Sequence, residues 1–336
     1  VKNRPTMRDV AKATGFSVNT VSRALSHKPD VNEETRKTIV EAATKMGYRP
    51  NKLARSLRSN KTHTIGVIVA DIANPYFGAL VKGVEKEARK RRYSVILLNT
   101  DEDYERECEA IQVVLEERVD GIIISPTQKE TGTVKNLLQL GIPFVLFGRR
   151  FSDLKTNYVV TDDVHGGFLA TEHLISLGHR RIGMINGPIH ISSAKERFQG
   201  YQEALERYGL KPDQPLVTAG AVTMEDGYEV AKSLLNKNPR PTAIFAFSDF
   251  VSFGVMKAIR EAGLKVPEDI SVVGYDDNQF ASCSETPLTT IHIPKEELGI
   301  NAAKVLKEQF VDNQPIKQVE LPVDLIVRQS TSACNT

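Results

Sequence analysis

Several residues of this 336-residue chain carry side chains that could do chemistry. Ser192-Ser193-Ala194-Lys195 satisfies Ser-x-x-Lys, the spacing of a lysine-activated nucleophile. Its companion motifs are missing, as are a phosphate loop, His-Glu-x-x-His and Gly-x-Ser-x-Gly. The acid pairs Asp162-Asp163 and Asp276-Asp277 read as loop or ligand-contacting residues rather than as acid–base partners. Arg149-Arg150 offers the two-pronged donors that suit a carboxylate or phosphate, or Arg150 simply faces water. Tyr76-Phe77 offers aromatic faces for a flat ligand. Cys108, Cys283 and Cys334 are odd in number and far apart, neither a disulfide framework nor a zinc spacing. The expected chemistry is recognition without catalysis, metal or cofactor. No apolar run is long enough for a membrane span and no export signal is read at the start, so a cytoplasmic protein is expected.

Charge is distributed unevenly. Through Thr62 there are 14 Lys and Arg against 5 Asp and Glu, a balance of +9, while the rest of the chain stands at −7. A basic head on a mildly acidic body points to a polyanion met by the head alone.

Local signals divide that head into short helices. Thr6, with Asp9 three residues on, caps a helix over 7–14 that buries Val10 and Ala11 with Ala13 near them, and Gly15 ends it. Ser17 caps a second helix over 18–26 with Val21 and Leu25 inward, so the two form a helix-turn-helix. Asn32 caps a third helix through Lys45, with Ile39, Val40, Ala43 and Met46 as its apolar side and Gly47 as its stop. Pro50 breaks the chain, and Asn51 caps a segment with Leu53 and Leu57 on one face and Lys52, Arg55 and Arg58 elsewhere. Being shorter than ~12 residues, it is expected to fold only against a partner, namely DNA.

The run Thr6 to Ser17, then Asn19 to Leu25, Val31 to Arg36 and Gly47 to Asn51, resembles in order the head of the lactose-repressor (LacI/GalR) family, and the resemblance continues to about Gln329. It implies that the second helix enters the major groove of an operator, with Val18 and Asn19 at the positions that vary with operator sequence. Asn19 suits adenine, and Val18 a thymine methyl. Arg23 suits guanine or a phosphate, and the hydroxyls of Thr6, Ser17, Thr20 and Ser22 complete the head's DNA-contacting set. In the linker the set continues with Asn51, Lys52, Ala54, Arg55 and Leu57, where Leu57 is the wedge entering the minor groove beside its mate from a second subunit. Leu57→Ala is therefore expected to weaken operator binding far more than random-DNA binding, compared side by side in gel shifts.

Beyond residue 63, apolar runs at 65–70, 95–98, 121–125, 144–147, 158–161, 182–186, 243–247 and 271–275 alternate with helical patterns at 77–91, 105–117, 164–177, 194–208, 224–235 and 250–262. This is the pattern of parallel sheets covered on both faces, and so many strands suit two lobes. The fold class expected is thus α/β, an all-α helix-turn-helix head plus a two-lobed body of the type I periplasmic-binding-protein kind. By resemblance the divisions are 1–49 head, 50–62 hinge helix and linker, and 63–336 effector-binding and dimerisation domain. The N-lobe spans about 63–161 and 292–322, and the C-lobe about 162–291 and 323–330.

The resemblance implies a ligand in the cleft outside the strands' carboxyl ends. The effector set is Asn74, Tyr76, Phe77, Arg149, Arg197, Ser248, Asp249 and Asp276, with Arg197 as the family's donor fork and Asp276 as its acceptor. Such a set suits a polyhydroxylated ring, and the adjacent arginines leave open a sugar, a sugar acid or a sugar phosphate. Trp is absent, and Val222 stands where some members carry an aromatic lid. No leucine heptad follows Arg328, so a homodimer on a two-fold operator is expected, with no membrane partner. The function implied is an effector-controlled, sequence-specific transcriptional regulator, a repressor. The rival is a sugar-binding protein of a transport or sensing system, which leaves the basic head without a purpose.

Overall fold

Ile- and Val-rich runs alternate with amphipathic helices through residues 63–334, and the computed structural model builds from them two six-stranded sheets. The structure describes residues 5–49, 61–310 and 314–334. The chain divides into two units, Val1–Thr62 and His63–Thr336.

The first unit holds α1 (Met7–Thr14), α2 (Val18–Leu25) and α3 (Glu33–Lys45). A reciprocal capping box between Thr6 and Asp9 starts α1, and Gly15, at φ 73°, ends it in the left-handed region that glycine adopts without a Cβ clash. Ser17 and Asn32 cap α2 and α3 by accepting from Thr20 N and Thr35 N. Val10, Val21, Ala24 and Ile39 form a fully buried centre, with Ala11, Val31 and Ala43 around it. Three expected core positions differ. Val40 is 37% exposed, Ala13 is exposed, and Leu25 is only half-buried while Ala24 takes the inner place. The line through Ile39 and Ala43 faces inward, and Val40 sits a helical step of about 100° from Ile39.

The second unit begins with β1 (Thr64–Val69), α4 (Pro75–Lys90), β2 (Ser94–Asn99), α5 (Tyr104–Glu116), β3 (Gly121–Ile124), α6 (Gly132–Leu140), β4 (Phe144–Phe147) and β5 (Tyr158–Thr161). It continues with α7 (Asp163–Ser176), β6 (Ile182–Ile185), α8 (Ser192–Arg207), β7 (Val217–Thr218), α9 (Met224–Leu235), β8 (Ala243–Ala246), α10 (Asp249–Glu261), β9 (Ser271–Asp276) and β10 (Thr289–His292). α11 (Lys295–Glu308), β11 (Gln318–Leu321) and β12 (Asp324–Ile326) complete it. The first sheet runs β11-β5-β4-β3-β1-β2, parallel throughout. The second runs β12-β10-β9-β8-β6-β7, with only the β10–β12 pair antiparallel. The chain passes between sheets after β5, after β10 and between β11 and β12, so each lobe is built from separated segments. Strands β3, β4, β6 and β8 are buried at every residue, as in sheets covered on both faces.

Helices pack in pairs over these sheets, α4 with α11, α7 with α8 and α9 with α10. At the α7–α8 crossing a Cβ on Gly200 would lie 2.0 Å from Val164 O, and one on Gly167 would lie 2.2 Å from Arg197 O. Only glycine lets these two backbones touch. The same device joins α4 to α11 through Gly83 and Gly299.

Candidate functional site

The residues around one cavity of the body end a strand, follow a strand's carboxyl end or sit in the first turns of a helix that does. The cavity measures about 60 Å³. Asn74, Tyr76 and Phe77 reach it from the β1–α4 connection, Arg149 from beyond β4, Arg197 from α8, Ser248 from beyond β8 and Asp276 from the end of β9. It is also lined by Asp71, Glu102, Ser125, Ser193 and Phe247.

Asn74 caps α4 by accepting from Tyr76 N at 3.0 Å, and Pro75 fills the first helical turn, so the helix starts two residues before its apolar pattern. Tyr76 and Phe77 meet edge to face with centroids 5.0 Å apart. The Tyr76 hydroxyl lies where a side chain on Gly148 would stand, 2.7 Å from that Cβ position. Ser248 caps α10 by accepting from Val251 N at 3.2 Å.

Both cavity arginines are already paired. Arg149 is 6% exposed and grips Glu102 with both terminal nitrogens, Nη1 at 2.8 Å, while Nη1 also donates to Pro126 O at 2.8 Å. Arg197 donates from Nε to Asp163 at 2.8 Å and from Nη1 to Phe247 O at 2.6 Å. Its guanidinium lies 3.6 Å from the centroid of the Tyr275 ring and 4.7 Å from that of Phe247. Arg197 is thus a buried, oriented fork and not a surface partner of Glu196 or Glu203.

Asp276 ends β9 at φ 110°, and Lys295 holds its main-chain oxygen and those of Asp277 and Ile293. Burial pushes the Asp276 carboxyl up to about 7. Asp249 does not line the cavity, contrary to expectation. The first turn of α10 directs it into the lobe, where it accepts from Thr290 Oγ1 at 2.5 Å and Asn278 N at 2.7 Å. Burial raises its carboxyl too.

Beside the cavity the lobes are tied together. Ser192 N donates to Gln128 Oε1 at 2.8 Å, Arg150 N donates to Ser192 Oγ at 3.1 Å, and Arg150 Nε donates to Glu196 at 3.0 Å. Arg150, also 3.4 Å from Glu320, neither faces water freely nor reaches the cavity. Burial, with Asp163 nearby, pushes Glu196 up to about 7.

These raised carboxyls set the sign of a pH effect. Between the ordinary carboxylate range and about pH 7 the folded protein holds protons that the unfolded chain has released. The contribution of Glu196 and Asp276 to the stability of the ligand-free protein is therefore expected to fall as pH rises through that window and to level off above it, opposed in its lower part by His173, His179 and His190, whose pKa values burial lowers. Urea midpoints across about pH 5 to 8 test this, with Asp276→Asn expected to flatten the slope and an unchanged slope counting against it.

In the head, Val18, 43% exposed, and Asn19 lie at the outer start of α2, with Ser22 and Arg23 one turn on along the same face. Arg23 pairs with Asp30. The hydroxyls of Ser17 and Thr20 meet at 2.8 Å, and that of Thr6 is taken up in the α1 cap. Asn51, Lys52, Ala54, Arg55 and Leu57 lie outside the described residues. Glu102, Ser125, Ser193 and Phe247 line the cavity without having been assigned from the sequence, and a place just beyond a strand end or at a helix start was their only signal. Asp163, read from the sequence as a loop or ligand-contacting residue, opens α7 and pairs with Arg197.

A helix-turn-helix head carried with a two-sheet body that encloses a polar cleft defines a ligand-sensing DNA-binding regulator. Residues 6–51 match the model of bacterial regulatory proteins of the lacI family. Residues 62–329 match that of periplasmic binding proteins and the sugar binding domain of the LacI family. The HTH-type transcriptional regulator DegA of Bacillus subtilis (strain 168) is 34% identical over 99% of this chain and 100% of its own. The crystal structure of the lac repressor dimer bound to operator and the anti-inducer ONPF superposes at a TM-score of 0.89 and 29% identity, covering 98% of this chain and 100% of that one. A LacI family transcriptional regulator from Enterococcus faecium with bound ribose gives 0.73 and 33%, covering 81% and 100%. This chain belongs to the LacI family. It is a DNA-binding transcriptional regulator under effector control.

Proposed function

We propose that this regulator represses transcription in the cytoplasm as a homodimer on a two-fold operator, and that its effector is a single-ring carbohydrate bound in the cleft. The observation that carries the effector is the juxtaposition of Arg197, a donor fork with an aromatic ring behind it, and Asp276, an acceptor, in one small cavity. A polyhydroxylated ring needs donors and acceptors at its edge and an aromatic platform at its face. About 60 Å³ corresponds to roughly four to six waters, the space of one ring rather than two. Ligands held by Arg197 and Asp276 of the second-sheet lobe that also touch Asn74 or Tyr76 of the first bias the two lobes, and residues 50–62 carry that bias to the operator.

A thermal-shift screen of monosaccharides, sugar acids and sugar phosphates, followed by operator anisotropy with each hit, tests this reading. A stabilising sugar that changes operator affinity supports it; a hit whose shift survives in Asp276→Asn removes it. In the head, Val18 and Asn19 read bases while Ser17, Thr20, Ser22 and Arg23 position the helix. Asn19→Ala is expected to weaken operator binding by about 1–3 kcal/mol and to leave the salt dependence unchanged. Equal loss on operator and random duplex would assign Asn19 to the backbone instead.

A further inference from the structure

The charges around the cleft do not suit every carbohydrate equally. An anion taken into a buried site needs a cation with hydrogens to spare, or it stands as an uncompensated charge. Arg149 gives both terminal nitrogens to Glu102 and shares one with Pro126 O. Arg197 commits Nε to Asp163 and Nη1 to Phe247 O, and the Asp163 carboxylate balances its charge, so it offers a ligand donors without a net charge to match. Lys295, behind Asp276, directs its ammonium at three main-chain carbonyls. Asp71 and Asp276 add two carboxyls to the lining, that of Asp276 pushed up to about 7 by burial. His190, near Arg149, has a pKa lowered by burial and by that arginine, which favours its neutral form. Glu102 is fixed in place: it lies at φ 56° just beyond β2, and its N–H donates to Ala70 O at 3.0 Å.

We propose that Glu102 is a specificity-determining residue: by occupying the Arg149 fork it makes the cleft accept a neutral sugar and refuse the acid or phosphate of the same skeleton. This rests on the carbohydrate reading of the cleft. Neutralising Glu102 returns a buried guanidinium fork to the cavity wall, and such a fork grips carboxylate or phosphate with two parallel bonds.

The test uses the full chain and matched probes: ribose, ribonate and ribose 5-phosphate; glucose, gluconate and glucose 6-phosphate; and inorganic phosphate alone. In the wild-type protein the neutral member of a set is expected to give the larger thermal shift, and phosphate no shift that depends on Arg149. In Glu102→Gln, near in shape, affinity for phosphate and the ratio of anionic to neutral affinity are expected to rise by about tenfold or more. Adding Arg149→Met is expected to remove the gain. A wild-type protein stabilised more by an acid or phosphate than by its neutral parent overturns the proposal without a variant, as does phosphate affinity that Glu102→Gln leaves unchanged. The first outcome still leaves a carbohydrate effector. A non-sugar ligand in the cleft removes the carbohydrate reading, while the phosphate measurements still decide the role of Glu102.

Discussion

Arg197→Met is expected to cost the body about 3–5 kcal/mol and to abolish the response to effector, while the head keeps its fold. Arg197 and Asp163 have side chains 6% and 3% exposed, so removing the guanidinium leaves a carboxylate buried without its partner. The same change withdraws the donor to Phe247 O and the cation against the Tyr275 ring. Replacing the pair together, Arg197→Met with Asp163→Leu, is expected to recover much of the stability but none of the effector response, because an apolar pair removes the stranded charge and also the fork. Urea midpoints separate the two effects. A single variant as stable as wild type would mean that Asp163 is not held by Arg197.

Gly200→Ala comes next in expected size. A Cβ at that position meets Val164 O at 2.0 Å and Phe168 N at 2.5 Å, both main-chain atoms that no rotamer change can move. α7 and α8 must part or shift, and Arg197 sits on α8 less than one turn before Gly200. Overpacking of this kind costs about 1–3 kcal/mol. For a body this size that lowers the unfolding midpoint by several degrees, at about 2–4 °C per kcal/mol. The displaced fork is expected to weaken effector binding as well. Gly209→Ala serves as the comparison: its left-handed φ of 69° carries a conformational cost but no neighbour within 4 Å, so its ligand affinity is expected to stay as in wild type.

What could be read from the sequence followed the way each element is buried. β3 and β4 announce themselves because a strand covered on both faces must be apolar at every position. β11 does not, since Gln318 and Glu320 are exposed and only Val319 and Leu321 are half-buried. The two-residue β7 leaves no periodicity to detect. Asp249 followed a strand end like the cavity residues, but the helical turn after Ser248 carried its carboxylate inward. The ion pairs were hidden for another reason. Glu102 lies 47 residues from Arg149 and Asp163 lies 34 from Arg197, so no local spacing links either pair. The head was the easiest part to read, since its caps at Thr6, Ser17 and Asn32 act within three residues along the chain.

The threefold passage between sheets also has a consequence for synthesis. β11 takes its place beside β5 only after residues 162–317 have been translated, and α11, which covers β3, β4 and β5, arrives almost as late. A nascent chain paused before Leu321 therefore presents the bare β5 edge and an apolar sheet face to the cell. Such edges recruit other strands. Neither lobe is whole until residues 318–326 have been made, and neither half can be released earlier as a working fragment.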